Sequence, residues 1–192
     1  SCGFYIGNGD EIDVVERFDR PNSIGIFYSM ITQYCGFTRD SDEYKVMGLS
    51  SYGDRNKYDF SDILQFKENK LVINEKFIKT IKPKESQPTK QEMIYSEKLI
   101  EEFGPKRLKN EELSKHFQDI AASAQAHVEK IVIEMIEYMY RKTGIKKLCL
   151  AGGVALNCAA NQKIMNLEFI DNFYVQPASN DEGVAIGATY LV

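Results

Sequence analysis

The chain reads as an α/β protein with a mixed sheet, and three observations predict it. Cys2–Gly7 and Glu11–Phe18 alternate polar and apolar residues on either side of Asn8-Gly9, the strongest short-range signal for a β-hairpin. A long helical stripe follows much later, where Phe117, Ile120, Ala121, Ala124, Val128, Ile131, Met135 and Met139 recur at steps of three and four. The closing segment then alternates strand, helix, strand, helix over about 147–151, 154–165, 172–176 and 182–192. Such a unit suits a parallel strand pair joined by a right-handed crossover.

The elements between these landmarks follow in order. Pro21-Asn22-Ser23 starts a helix that runs through Tyr34 and stops at Gly36. Ser41-Asp42-Glu43 opens a second, with acid in its first turn, ending near Ser51 ahead of Tyr52-Gly53. A short helix is expected from Tyr58, then a small hairpin pairing Leu64–Phe66 with Leu71–Ile73. Residues 79–90 carry Pro83, Pro88 and several lysines, the composition of an exposed, mobile loop. Gln91 to Phe103 is amphipathic, and 79–110 as a whole reads as a loop-and-helix insertion. The long helix is expected over Ser114–Lys142, with Gly144 as its stop. The 192 residues are enough for a single domain, 1–192. The first strand pattern has no lead-in and the last helix no polar tail. The expectation is therefore a piece excised from a longer protein.

Charge and cysteine usage narrow the function classes. Net charge is −4 with Lys and Arg spread along the chain, which argues against nucleic acid as a partner. No apolar run nears the roughly 20 residues that span a bilayer, so no membrane partner is expected. Cys2, Cys35, Cys149 and Cys158 form no Cys-x-x-Cys pair. They read as buried free thiols of a cytoplasmic protein. His116 and His127 lie on one helix about 16 Å apart, too far to share a metal, and are read as surface or packing residues.

Two strand-to-helix junctions carry the chemistry. In Leu148-Cys149-Leu150-Ala151-Gly152-Gly153-Val154-Ala155-Leu156-Asn157 an apolar strand meets two glycines and passes into a helical pattern. Glycine there permits close approach, either of a ligand or of the helix to its strand. A ligand would meet unpaired N–H groups at a helix start, an arrangement suited to phosphate. In Phe173-Tyr174-Val175-Gln176-Pro177-Ala178-Ser179-Asn180-Asp181-Glu182-Gly183 a second strand ends in a polar turn. Asp181 falls where a helix N-cap would sit. It is also a carboxylate at the carboxyl end of a strand, where open α/β sheets bind ligands. Two such junctions in tandem point to a shared cleft.

Three segments in order resemble the O-carbamoyltransferases of the nodulation and antibiotic-biosynthesis type. They are Glu43-Tyr44-Lys45-Val46-Met47-Gly48-Leu49-Ser50-Ser51-Tyr52-Gly53, Leu150–Asn157, and Gln176-Pro177-Ala178 with Asp181 and Gly183. The likeness runs from Pro21 to the end, with Ser50-Ser51 standing where the family often has Ala-Pro. It implies an actin-like ATPase (ASKHA) fold related to the tRNA threonylcarbamoyl transferase. It also implies a two-step reaction. A C-terminal domain makes carbamoyl-adenylate from carbamoyl phosphate and ATP, and the actin-like domain passes the carbamoyl group to a hydroxyl of a small molecule or glycan. The family's divalent metal, typically iron, is held by two histidines and one aspartate.

Carried over by position, Gly152, Gly153, Val154 and Asn157 are expected to contact adenosine. Glu43 and Lys45 are candidate ribose or phosphate contacts, or else a helix-start acid and a surface lysine. Asp181 is the one expected metal ligand. The paired histidines and the adenylate-forming domain belong to parts of the family's chain outside these residues. The 192-residue piece alone is therefore expected to be inactive and to hold no ordered cofactor. Two other readings stay open: a nucleotide-binding regulatory module of actin-like fold, and a sugar-kinase-like domain.

Overall fold

A computed structural model describes residues 2–79 and 92–190. The strands pair two by two: among the described residues there are three two-stranded sheets, and the expected mixed sheet is not formed. The chain divides into two compact units, Ser1–Val128 and Glu129–Val192.

In the first unit β1 (Cys2–Asn8) pairs antiparallel with β2 (Glu11–Phe18), Asn8 opposite Glu11. The register slips once between Phe4 and Tyr5, which face Glu16 and Val14 and leave Val15 as the extra residue of a bulge in β2. The helix α1 (Ile24–Tyr34) follows Ser23, and α2 (Glu43–Leu49) runs on into a 3₁₀ turn at Ser50–Tyr52. The hairpin of β3 (Leu64–Lys67) and β4 (Lys70–Ile73) has the expected register, Leu64 opposite Ile73. No helix starts at Tyr58; Ser61–Ile63 make a turn instead. Asp59 holds that turn, its carboxylate accepting from the Ser61 N–H and hydroxyl. A short Asx turn thus displaces a helix in a place where apolar spacing alone suggested one. Among the described residues of the expected 91–103 helix only Glu97–Phe103 is helical, as α3, capped by the Ser96 hydroxyl on Lys98 N. Tyr95 instead bridges to Ile78 as extended backbone. The loop expected over 79–90 lies, but for Lys79, outside the described residues.

The long helix α4 (Lys115–Thr143) matches its expected span to a residue. Its N-terminal half supplies buried Phe117, Ile120, Ala121, Ala124 and Val128 to a core shared with Phe27, Met30 and Ile31 of α1 and with Phe60, Leu64 and Leu71. Gly53 lies against α4. A Cβ at this position would fall on the Gln118 carbonyl group and come within 2.7 Å of the Ala122 methyl, so only glycine fits. Buried polar groups in this core are matched. Tyr28 donates to Gln125 Oε1 at 2.7 Å, and the His127 ring meets the Leu64 carbonyl at 2.7 Å.

In the second unit β5 (Lys147–Leu150) and β6 (Asn172–Val175) run parallel in register, Lys147 beside Asn172 and Leu150 beside Val175. The crossover holds a 3₁₀ turn, Gly153–Leu156, and α5 (Cys158–Met165). The helix expected over 154–165 is thus broken. Asn157 leaves helical geometry (φ −74°, ψ 91°), and its side chain accepts from Ala160 N at 3.0 Å. It is the N-cap of α5, a competition with helix continuation that Asn wins through its short amide. Glu129 and Lys163 (3.0 Å) and the stacked rings of Tyr140 and Phe169 (4.5 Å) tie the end of α4 to this crossover. The last helix, α6, covers Gly183–Thr189 and buries none of its residues.

Candidate functional site

The two junctions singled out in the sequence meet. The turn after β5 and the turn after β6 sit at the same end of a parallel pair, and Gly152 N donates to the Ser179 carbonyl at 2.6 Å. Gly152 has φ +97°, a conformation that other L-residues adopt only with strain. Ala155 N turns back to the Gly152 carbonyl at 3.0 Å. The N–H groups of Gly153 and Val154 take no hydrogen-bond partner among the described residues. The Cβ position of Gly153 lies 3.6 Å from Asn180 Oδ1, ordinary contact. This glycine is therefore not required by packing.

Beyond the turn, Gly183 packs on the backbone of Ala178, where a Cβ would strike the carbonyl oxygen. That close approach fixes the path from Gln176-Pro177-Ala178 into α6. Buried beside these turns are two polar atoms without partners among the described residues, the Ser179 hydroxyl and Asn161 Oδ1. Asn161 spends its other amide atom on the Ala155 carbonyl at 2.7 Å. A buried polar atom left unpaired costs stability unless a further group meets it.

Asp181 is exposed, and its position differs from the N-cap expected. Glu182 occupies the cap of α6, and no side chain caps that helix. Asp181 contributes only its carbonyl, to Val184 N at 3.2 Å, so its carboxylate is not consumed by the fold. The described residues nevertheless hold no group of three His, Cys, Asp or Glu able to bind a metal. One carboxylate does not make a cation site.

Glu43 and Lys45 lie in the first unit. Glu43 Oε1 accepts from Asp40 N at 2.7 Å and from the Ser29 hydroxyl at 3.0 Å. This work is local: it holds Asp40, whose φ is +57°. Lys45 pairs with Asp42 at 2.9 Å, which holds that carboxyl below its usual range and raises the ammonium's own pKa.

Sequence reading missed a polar chain around His116. Tyr58 Oη lies 2.8 Å from Nδ1, and Nε2 lies 3.2 Å from Tyr34 Oη. Tyr34 in turn donates to the Phe103 or Gly104 carbonyl, each at 2.9 Å. One tautomer satisfies the whole chain: Tyr58 donates to Nδ1 and Nε2–H donates to Tyr34. Burial lowers the imidazole pKa, because desolvation penalises the charged ring, against an opposing pull from Asp119. Both histidines are thus packing residues, not surface ones. Two cysteines depart from the buried reading: Cys149 and Cys158 are exposed, whereas Cys35 is buried and its thiol pushed up to about 12 by desolvation. Among the described residues no helix is long and apolar enough to cross a membrane.

A glycine turn and a polar turn are thus joined at the carboxyl ends of two parallel strands, the place where open α/β sheets carry their ligands. Comparison with known proteins narrows the class. The family profile described as Carbamoyltransferase N-terminus matches residues 2–190. An uncharacterised protein of Synechocystis is 35% identical over 100% of this chain and 31% of its own length. Nodulation protein NolO of Bradyrhizobium diazoefficiens is 32% identical over 97% of the chain and 31% of its own. Nodulation protein NolNO of Sinorhizobium fredii is 32% identical over 97% of the chain and 25% of its own. The chain belongs to the carbamoyltransferase family, in its N-terminal region, and spans about a third or less of these relatives.

Proposed function

We propose that the protein carrying this chain is an O-carbamoyltransferase, that it uses carbamoyl-adenylate formed from carbamoyl phosphate and ATP, and that these residues form part of its actin-like transfer domain. The observation that carries the reading is the joined pair of turns, Gly152 N on the Ser179 carbonyl at 2.6 Å, within a chain matched along residues 2–190 by the family. Gly153, left open on its Cβ side, lets the backbone approach the adenosine, and the N–H groups of Gly153 and Val154 are free to donate. The buried Ser179 hydroxyl and Asn161 Oδ1 are groups that a polar ligand would satisfy. Asn157 holds the far side of this turn as the cap of α5. Its adenosine contact, if made, comes from the same rigid corner.

Asp181 is the ligand this chain lends to a divalent cation, completed by residues outside the described ones. Its carboxylate is exposed and unspent, as a ligand needs. The acceptor is a hydroxyl of a small molecule or glycan, and the four free cysteines suit a cytoplasmic setting. The test is incubation of the intact protein with carbamoyl phosphate, ATP and candidate acceptors. Carbamoylated acceptor, seen by mass spectrometry and dependent on both co-substrates, is expected. ATP turnover with phosphorylated acceptor instead would establish the kinase-like alternative and end this reading.

A further inference from the structure

The first unit holds a cavity of about 600 Å³ that the glycine turn does not touch. Phe37, Lys45, Tyr95, Lys106, Arg107 and Lys109 line it. We infer that this cavity is a recognition site for a phosphate monoester on a small organic body, held by Lys106, Lys109 and Lys45.

The cations are placed there by the backbone. Arg107 is spent on carbonyl groups: Nε and Nη2 donate to Glu111 O at 2.9 and 2.6 Å, and Nη1 to Cys35 O at 3.2 Å. Its N–H donates to the Tyr34 carbonyl at 3.0 Å, and its guanidinium lies 5.4 Å from the centre of the Phe37 ring. The loop can come this close because Gly36, at φ +76°, has no Cβ; one would lie 2.8 Å from the Arg107 carbonyl oxygen. The loop after α3 is thereby pinned to the end of α1, with Lys106 and Lys109 on either side of the pin.

Neither lysine meets a carboxylate among the described residues. Lys106 Nζ finds only the Met93 thioether, at 3.2 Å, a weak acceptor. Asp42 is the one acidic residue lining the cavity, against Lys45, Lys106, Arg107 and Lys109. This concentration of positive charge sits on a chain whose net charge is −4. Like charges gathered in a concave, partly apolar wall repel one another and attract an anion. With the Arg107 fork occupied and Lys45 shared with Asp42, the free donors are the ammonium point charges of Lys106 and Lys109. These suit the three-oxygen face of phosphate rather than the planar edge of a carboxylate. The volume exceeds that of a phosphate alone and falls in the range of small-molecule sites, which leaves room for an organic body against Phe37.

The inference goes beyond the carbamoyl-transfer reading, since every lining residue lies in the first unit. Lys45 takes the phosphate part of the role expected from the sequence. The test is calorimetric titration of the intact protein with glucose 6-phosphate, inorganic phosphate and glucose as probes. Glucose 6-phosphate should bind and glucose should not. Inorganic phosphate should bind more weakly, since the organic body contributes; if it binds as tightly, the cavity takes the anion alone and the monoester inference is overturned. Lys106→Ser with Lys109→Ser should weaken glucose 6-phosphate about tenfold or more with melting temperature unchanged. Lys109→Glu alone, at an exposed position, should weaken it too and serves if the double variant does not fold. Gly153→Val should leave this affinity unaltered, even where it abolishes ATP binding. Absence of binding by both phosphate probes, or unchanged affinity in the lysine variants, overturns the inference. So does loss of glucose 6-phosphate binding in Gly153→Val alone. None of these results bears on whether the carbamoyl group is transferred.

Discussion

Two motif glycines, Gly53 in the first unit and Gly153 in the second, stand in opposite surroundings. In the first, Gly53 is demanded by packing, and buried Tyr28 and His127 and half-buried His116 are hydrogen-bonded within the fold. In the second, Gly153 has room for a side chain, and Ser179 and Asn161 keep buried atoms without partners. A glycine-bearing motif is therefore structural in one unit and open to a ligand in the other, although the two look alike as sequence.

The largest effect expected is at Gly53. Gly53→Val drives its side chain into the α4 backbone, which cannot move aside. About 3 kcal/mol of stability should be lost, read as a lowered urea midpoint. A variant as stable as the wild type would erase the contrast between the units. At Gly153 the outcome should invert. Gly153→Val in the intact protein should weaken ATP binding tenfold or more, about 1.4 kcal/mol, with little change in melting temperature. Equal affinity by calorimetry would return this glycine to a packing role.

Asp181→Asn sharpens the comparison further. The Asp181 carboxylate makes no bond in the fold, so the melting temperature in chelator should stay within about 0.5 kcal/mol of wild type in stability terms. Bound divalent metal, measured by elemental analysis of the intact protein, should fall. Wild-type metal content in that variant would remove Asp181 from the ligand set.

The smallest effect is the pH response of His116. Its folded pKa lies below the ordinary 6.5, so the unfolded chain binds the proton more readily. The stability it contributes is present above 6.5 and is lost as pH falls through the folded value. The advantage of wild type over His116→Gln should therefore shrink between pH 7 and pH 5 in denaturation curves. A constant difference would mean that the Tyr58–His116–Tyr34 chain does not discriminate between the protonation states.

Much of the architecture was legible along the chain because its causes are local. The Asn8-Gly9 turn and the apolar stripe of α4 act over a few residues, and the structure follows both. The breaks were less legible. Asn157 ends the 3₁₀ turn and caps α5, and Asp59 holds a turn where a helix was expected, because in each case a short polar side chain outcompetes helical spacing for a backbone N–H. The exposure of Cys149 was likewise hidden: an apolar strand reads as buried, but a two-stranded sheet leaves one face of each strand without cover.

The candidate site divides in the same way. Residue types and order were enough to mark Gly152, Gly153 and Asp181 and to indicate the family, because the chemistry of a glycine turn and of a carboxylate resides in the residues themselves. That Gly152 N reaches the Ser179 carbonyl, that Asp181 is not a cap, and that Lys106 and Lys109 join Lys45 around one cavity were decided only by the tertiary structure. The first and the last depend on backbone segments brought together across about 30 to 60 residues. Local propensity carries no information about such closures, since it is the burial of distant apolar surface that drives them.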